Sequence, residues 1–136
     1  MTIKYLLDTS IYCQPIKPKP IPHVMARWER IGDEAMAISV ITYSEIIYGL
    51  SLKQSEKLSR AFDHVLRGRF PLFPVTQEIA DDFGRLKAYQ QKKGKKLADL
   101  DLLIASTARI HRLVLVTLNL KDFSRIEGMI VEDWSQ

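Results

Sequence analysis

The chain of 136 residues has a single cysteine, Cys13, so it closes no internal disulfide and offers no cysteine cage for zinc. No run approaches the roughly 20 apolar residues that a membrane helix requires. The apolar stretch in MTIKYLLDTS is too short for a signal peptide and soon meets Asp8. These absences point to a cytoplasmic chain without a membrane anchor. The three histidines, His23, His64 and His111, lack metal-ligand spacing, and none is obviously paired with a nucleophile. There is no G-x-S-x-G elbow and no Gly-rich loop ending in K-[ST], so neither a serine hydrolase of that design nor a P-loop nucleotide enzyme is indicated. Internal repeats, low-complexity tracts and composition breaks are missing as well.

What remains is an ordinary globular composition with a basic balance. An apolar content of 46% can fill a core, and the length fits one domain spanning residues 1–136 on a prior of roughly 100–200 residues per domain. Twenty Lys and Arg against 16 Asp and Glu leave a net charge of +4, which suits a polyanionic partner without establishing one.

Apolar runs and their breaks outline alternating strands and helices. Ile3 to Leu7 reads as a strand buried on both faces. The segment QPIKPKPIP, Gln14 to Pro22, reads as a loop, because proline repeatedly removes the backbone donor. Val24, Trp28 and Ile31 then recur at helical spacing up to Gly32, which predicts a helix from about His23. A second strand is expected from Met36 to Ile41, with a helix from Thr42 towards Leu52. The Leu58 to Leu66 stripe is a further helix, and Pro71 to Val75 a short edge strand. Thr76 is a suitable N-cap for a helix that runs to Gly94. Leu102 to His111 is the next helix, followed by strands at Leu113 to Thr117 and Ile130 to Trp134. Strands alternating with helices predict an α/β domain with a mainly parallel sheet, whose ligands bind beyond the carboxyl ends of the strands.

Acids and one amide gather where these runs end: Asp8 after KYLL, Glu45 after AISVITYS, Asp99 and Asp101 before LLIA, and Asn119 after LVLVTL. Carboxylates brought together repel one another, so an apolar fold tolerates the cluster when something positive compensates. Magnesium does so with oxygen ligands, one or two carboxylates and substrate phosphate, and can activate water against a phosphodiester. Each residue also has a plainer reading. Asp8 could cap a following turn, Thr42-Tyr43-Ser44-Glu45 matches a capping box, and Asp99 and Asp101 suit a helix's first turn. Asn119 and Asp122 would also serve an ordinary turn.

The segments YLLDTSI, ISVITYSEIIYG, KKGKKLADLDLLIASTARIHRLVLVTLNLKDFSRIEG and VEDW resemble, in that order, the PIN-domain toxins of the VapC type. The resemblance covers nearly the whole chain and is poorest in the proline loop and around Gln54 to Arg69. It implies a three-layer α/β/α fold with a five-stranded sheet and a magnesium-dependent endoribonuclease, with manganese as a substitute ion. Cleavage would leave a 5′-phosphate and a 3′-hydroxyl. Asp8 matches the first metal-binding aspartate and Glu45 the acid of the helix after the second strand. Asp101 matches the aspartate before the LLIA-like helix and is preferred to Asp99, which would then be an accessory charge. Asn119 falls where many such nucleases carry a fourth aspartate, and Asp122 would supply the missing charge or orient the loop. One ion on Asp8 and Asp101, with another arriving alongside RNA, is the arrangement expected.

The same resemblance implies an RNA substrate, a VapB-like antitoxin whose basic side chain enters the acidic site, a homodimer and a toxin–antitoxin hetero-oligomer. Two alternatives share the scaffold: a PIN-like nuclease of RNA maturation, and a catalytically silent RNA-binding or partner-binding module. Lys92, Lys93, Lys95 and Lys96 around Gly94 either complement a helix end or guide RNA phosphates. Trp28, Tyr43, Tyr48 and Tyr89 could stack on bases or pack in the core.

Overall fold

A computed structural model describes residues 2–136. Five parallel strands lie in the order β3-β2-β1-β4-β5: β1 Tyr5–Leu7, β2 Met36–Ser39, β3 Leu72–Phe73, β4 Val114–Val116 and β5 Val131–Glu132. Among the described residues seven α-helices connect or flank them: α1 Thr9–Tyr12, α2 Pro22–Ile31, α3 Val40–Lys53, α4 Glu56–Val65, α5 Gln77–Lys92, α6 Asp99–His111 and α7 Leu120–Phe123.

Alternation along the three inner strands creates the layers. Tyr5, Leu7, Met36, Ile38, Val114 and Val116 face one core with Tyr12, Trp28, Phe62 and Trp134. Leu6, Ala37 and Leu115 face the other, against Leu86, Leu102, Ala105 and Phe123 from α5, α6 and α7. Because both faces are covered, the inner strands read in sequence as continuous apolar runs. No helix among the described residues is long and apolar enough to cross a membrane.

The expected elements are present, and several boundaries move for identifiable reasons. Gln14–Ile16 forms a 3-10 turn inside the proline segment, and Pro22 starts α2, where a missing N–H costs nothing. Gln14 staples this loop: its Nε2 donates to the Ser10 carbonyl at 3.0 Å and its Oε1 accepts from the Ile21 amide at 2.9 Å. The second strand stops at Ser39 rather than Ile41, because Ser39 Oγ accepts the Ile41 amide at 3.0 Å and begins α3. This removes the capping-box reading of Glu45, since Thr42 and Glu45 both lie inside the helix. Likewise α6 begins at Asp99 instead of Leu102, which places Asp99 and Asp101 in its first turn.

The reassigned cap gives a paired prediction. Ser39→Ala should cost about 1 kcal/mol in urea unfolding through the lost cap. Thr42, fully buried with its hydroxyl unpartnered, should accept Val with no loss of stability. Equal losses from both substitutions would contradict the assignment.

Candidate active site at the carboxyl edge of the sheet

Strand order reverses about β1, whose chain crosses to β2 on one side while β4 lies on the other. Such a switch point opens a crevice beyond the strand ends. Asp8 is the first residue after β1, and its backbone amide donates to Val116 of β4 at 2.9 Å. The Asp8 side chain is therefore carried to the junction of the two strands.

Three groups hold that carboxylate in place. Its Oδ1 accepts the Thr9 amide at 2.7 Å, and its Oδ2 accepts Thr117 Oγ at 2.7 Å and Ser10 Oγ at 3.2 Å. The capping role anticipated for Asp8 is thus real, and coexists with its place in the acidic cluster. Thr117 in turn accepts the Asn119 amide, and Ser10 accepts the Leu118 amide, so α1 and the segment after β4 are tied through this one carboxylate. Thr9, Ser10 and Thr117 are not among the site residues that sequence reasoning named; small hydroxyls at strand ends are the signal that could have found them.

Glu45 reaches the same edge from α3, and Thr9 Oγ donates to its Oε1. Asp101 comes from the first turn of α6. Burial, then the charges of Asp8, Glu45 and Asp122, push its carboxyl up to about 6. Four acids from four separate segments therefore share one electrostatic neighbourhood. Asp99 does not join them: its half-exposed carboxylate pairs with Lys87 Nζ at 3.1 Å. Asn119 is exposed, and its Nδ2 donates to Asp122 Oδ2 at 2.9 Å. The amide thus orients Asp122, whose charge bears on Asp101. No group of three His, Cys, Asp or Glu side chains among the described residues closes into a complete cation cage.

The four aromatic residues weighed in the sequence differ in placement. Trp28 is core, and Tyr43 packs against Phe62 with Arg67 beside it. Tyr48 and Tyr89 are exposed.

The upward shift of Asp101 has a stability consequence. The fold favours the protonated acid, so its contribution is complete below the ordinary value of 3.8 and is lost as pH rises through about 6. With chelator present, Asp101→Asn should stabilise the protein by about 1–2 kcal/mol at pH 7, after allowance for solvent screening. The gain should shrink towards zero near pH 4. Denaturant unfolding at both pH values checks this; a mutant less stable than the parent at pH 7 would contradict it.

The PIN domain family model matches residues 5–129. The chain is 31% identical to ribonuclease VapC2 of Haemophilus influenzae over 132 residues, covering 97% of this chain and 98% of that protein. It is 33% identical to the tRNA(fMet)-specific endonuclease VapC of Salmonella typhimurium, again covering 97% and 98%. Among solved structures it superposes on the DNA-bound VapBC complex from Salmonella typhimurium with a TM-score of 0.83, at 34% identity over 97% of this chain and 98% of that one. With an all-parallel three-layer fold and matches along nearly its full length, this chain belongs to the VapC-type PIN-domain toxins.

Proposed function

We propose that this protein is a magnesium-dependent endoribonuclease, the toxin of a toxin–antitoxin pair, which hydrolyses RNA phosphodiester bonds with water. The observation that carries this reading is the convergence of Asp8, Glu45 and Asp101, with Asp122, at the switch point of the sheet in a chain of this family. Relatives named as a ribonuclease and as a tRNA(fMet)-specific endonuclease support it. A silent binding module would have no use for an acid that is lifted by burial and then by three neighbouring carboxylates.

The donor set fits a hard dication. It is all oxygen and carries excess negative charge, and magnesium is commonly held by only one or two carboxylates with waters and substrate phosphate. Asp8 and Asp101 would hold the ion. When bound, it would supply Lewis acidity and lower the pKa of water. Asp8, fixed by Thr9, Ser10 and Thr117, provides a carboxylate that needs little reorganisation. Glu45 has Oε1 engaged by Thr9, which leaves Oε2 to accept a proton from the attacking water. Asn119 holds Asp122 towards the same centre, and Asp99 takes no part.

The antitoxin's seat in this reading is a largely apolar groove of about 340 Å³ lined by Cys13, Ile16, Ile46, Gly49, Leu50 and Leu58, with Thr9 and Glu45 also in its wall. A basic side chain of the antitoxin would reach the acids from here. Gly49 lies inside α3, where glycine costs about 1 kcal/mol relative to Ala, yet a Cβ there meets nothing within 4 Å. Tyr48 and Leu52, exposed one helical turn apart on α3, are the proposed homodimer contact.

Asp8→Asn should lower magnesium-dependent cleavage of RNA at least ~100-fold while the protein stays folded, whereas Asp99→Asn should cut at nearly the parent rate. Full activity in folded Asp8→Asn would overturn the assignment. Gly49→Leu should still cleave RNA but escape antitoxin inhibition, with affinity for the antitoxin reduced ~10-fold or more in a titration of activity.

A further inference from the structure

Five lysines, Lys87, Lys92, Lys93, Lys95 and Lys96, fall within ten residues at the end of α5 and the start of the turn that follows, and Asp99 is the one acid among residues 87–99. The surplus of this segment equals the net charge of the entire chain, so the remainder of the protein is balanced. The basicity that sequence composition suggested is therefore concentrated at one place.

That place is near the acids. α5 and α6 form an antiparallel pair, with Asp82 joined to Arg109 at one end and Lys87 to Asp99 at the other. Residues 93–98 connect them at the end where Asp101 sits in the first turn of α6. Gly94, at φ +70°, allows the sharp reversal.

Helix stability explains only part of the lysine cluster. Lys92 lies in the last turn of α5, where a cation suits the helix dipole. Lys95 and Lys96 stand just before α6, whose N-cap Ala98 supplies no side-chain acceptor. The Lys95 amide donates to the Gln90 carbonyl at 2.9 Å and so helps close the end of α5, where a cation suits the dipole, whereas Lys96 lies in neither helix and serves neither end. Lys92, Lys93 and Lys96 are exposed, and Lys93 Nζ lies 5.0 Å above the exposed Tyr89 ring. Lys87, Lys95 and Lys96 also line a shallow depression of about 210 Å³, together with Gln90, Gln91 and Asp99, whose carboxylate is paired with Lys87. Cations and amide donors around a concavity suit phosphate oxygens.

We propose that the α5–α6 turn grips the sugar-phosphate backbone of RNA to one side of the bond that is cut, offsetting the repulsion between that polyanion and the acidic site. This inference rests on the ribonuclease reading and adds to it a substrate track. Its partner is the RNA backbone, without regard to base, so it governs how firmly a long strand is held rather than the bond-breaking step.

The test compares the parent with a variant combining Lys92→Gln, Lys93→Gln, Lys95→Gln and Lys96→Gln, using a 20-nucleotide unstructured RNA and a tetranucleotide in magnesium. The variant should raise KM for the long RNA ~10-fold or more and leave kcat and tetranucleotide cleavage unchanged. The slope of log kcat/KM against log salt should flatten by about 2–3, near 0.7 for each phosphate that is no longer neutralised. Arg at the same four positions should restore both. If the fourfold variant unfolds, Lys95→Gln with Lys96→Gln should show about half the change in slope.

Unchanged KM and slope in an active variant would overturn the track and leave the ribonuclease reading standing. An equal loss on the tetranucleotide, or a parallel loss of antitoxin affinity, would also overturn it, by assigning the lysines to the site itself or to the protein partner. Absence of cleavage by the parent would instead remove the ribonuclease reading, and this inference with it.

Discussion

Repulsion among carboxylates that the fold does not let separate is the constraint on which the rest depends. Asp8 follows β1, Glu45 rides on α3, Asp101 opens α6 and Asp122 lies in α7, and each position is set by the packing of its own element. The elements cannot retreat without exposing one of the two apolar layers that clasp the sheet. The cluster is thus held by hydrophobic burial against its own electrostatics, and Asp101, desolvated first and then facing three negative neighbours, carries a raised pKa.

The acids are not equivalent. Asp8 is surrounded by donors, an amide and two hydroxyls, which fix its position. Asp101 is under the influence of three negative neighbours. Under the proposed function the two would have complementary tasks, Asp8 as a fixed ligand and Asp101 as one whose ionised form the cation would stabilise. The lysine turn next to α6 extends the same logic outward, with excess positive charge placed where an anionic strand approaches acids.

The fold was legible because parallel strands covered on both faces must read as apolar runs, and because Thr76, Gly32 and Gly94 mark helix ends with little ambiguity. Boundaries were less so. Ser39 beside Thr42 offered two plausible caps, and only tertiary placement selects the first. Asp99 and Asp101, two residues apart, are indistinguishable by composition; the helix's rotation turns one to Lys87 and the other to the acids. The convergence of Asp8, Glu45 and Asp101 was anticipated from strand ends, whereas the hydroxyl ties among Thr9, Ser10 and Thr117 join residues up to 109 apart and leave no local pattern. Asn119 was expected among the catalytic residues, and its hydrogen bond to Asp122 links it to an acid of the cluster that the sequence placed only three residues away.

The central claim is that these acids form one charged centre that accepts a dication. Its most direct test follows the Asp101 side-chain carboxyl by carbon NMR across a pH titration, first with chelator and then with saturating magnesium. The account predicts an apparent pKa near 6 without metal, falling by at least about one unit when magnesium is present. A carboxyl that titrates at the ordinary value in both conditions would contradict it.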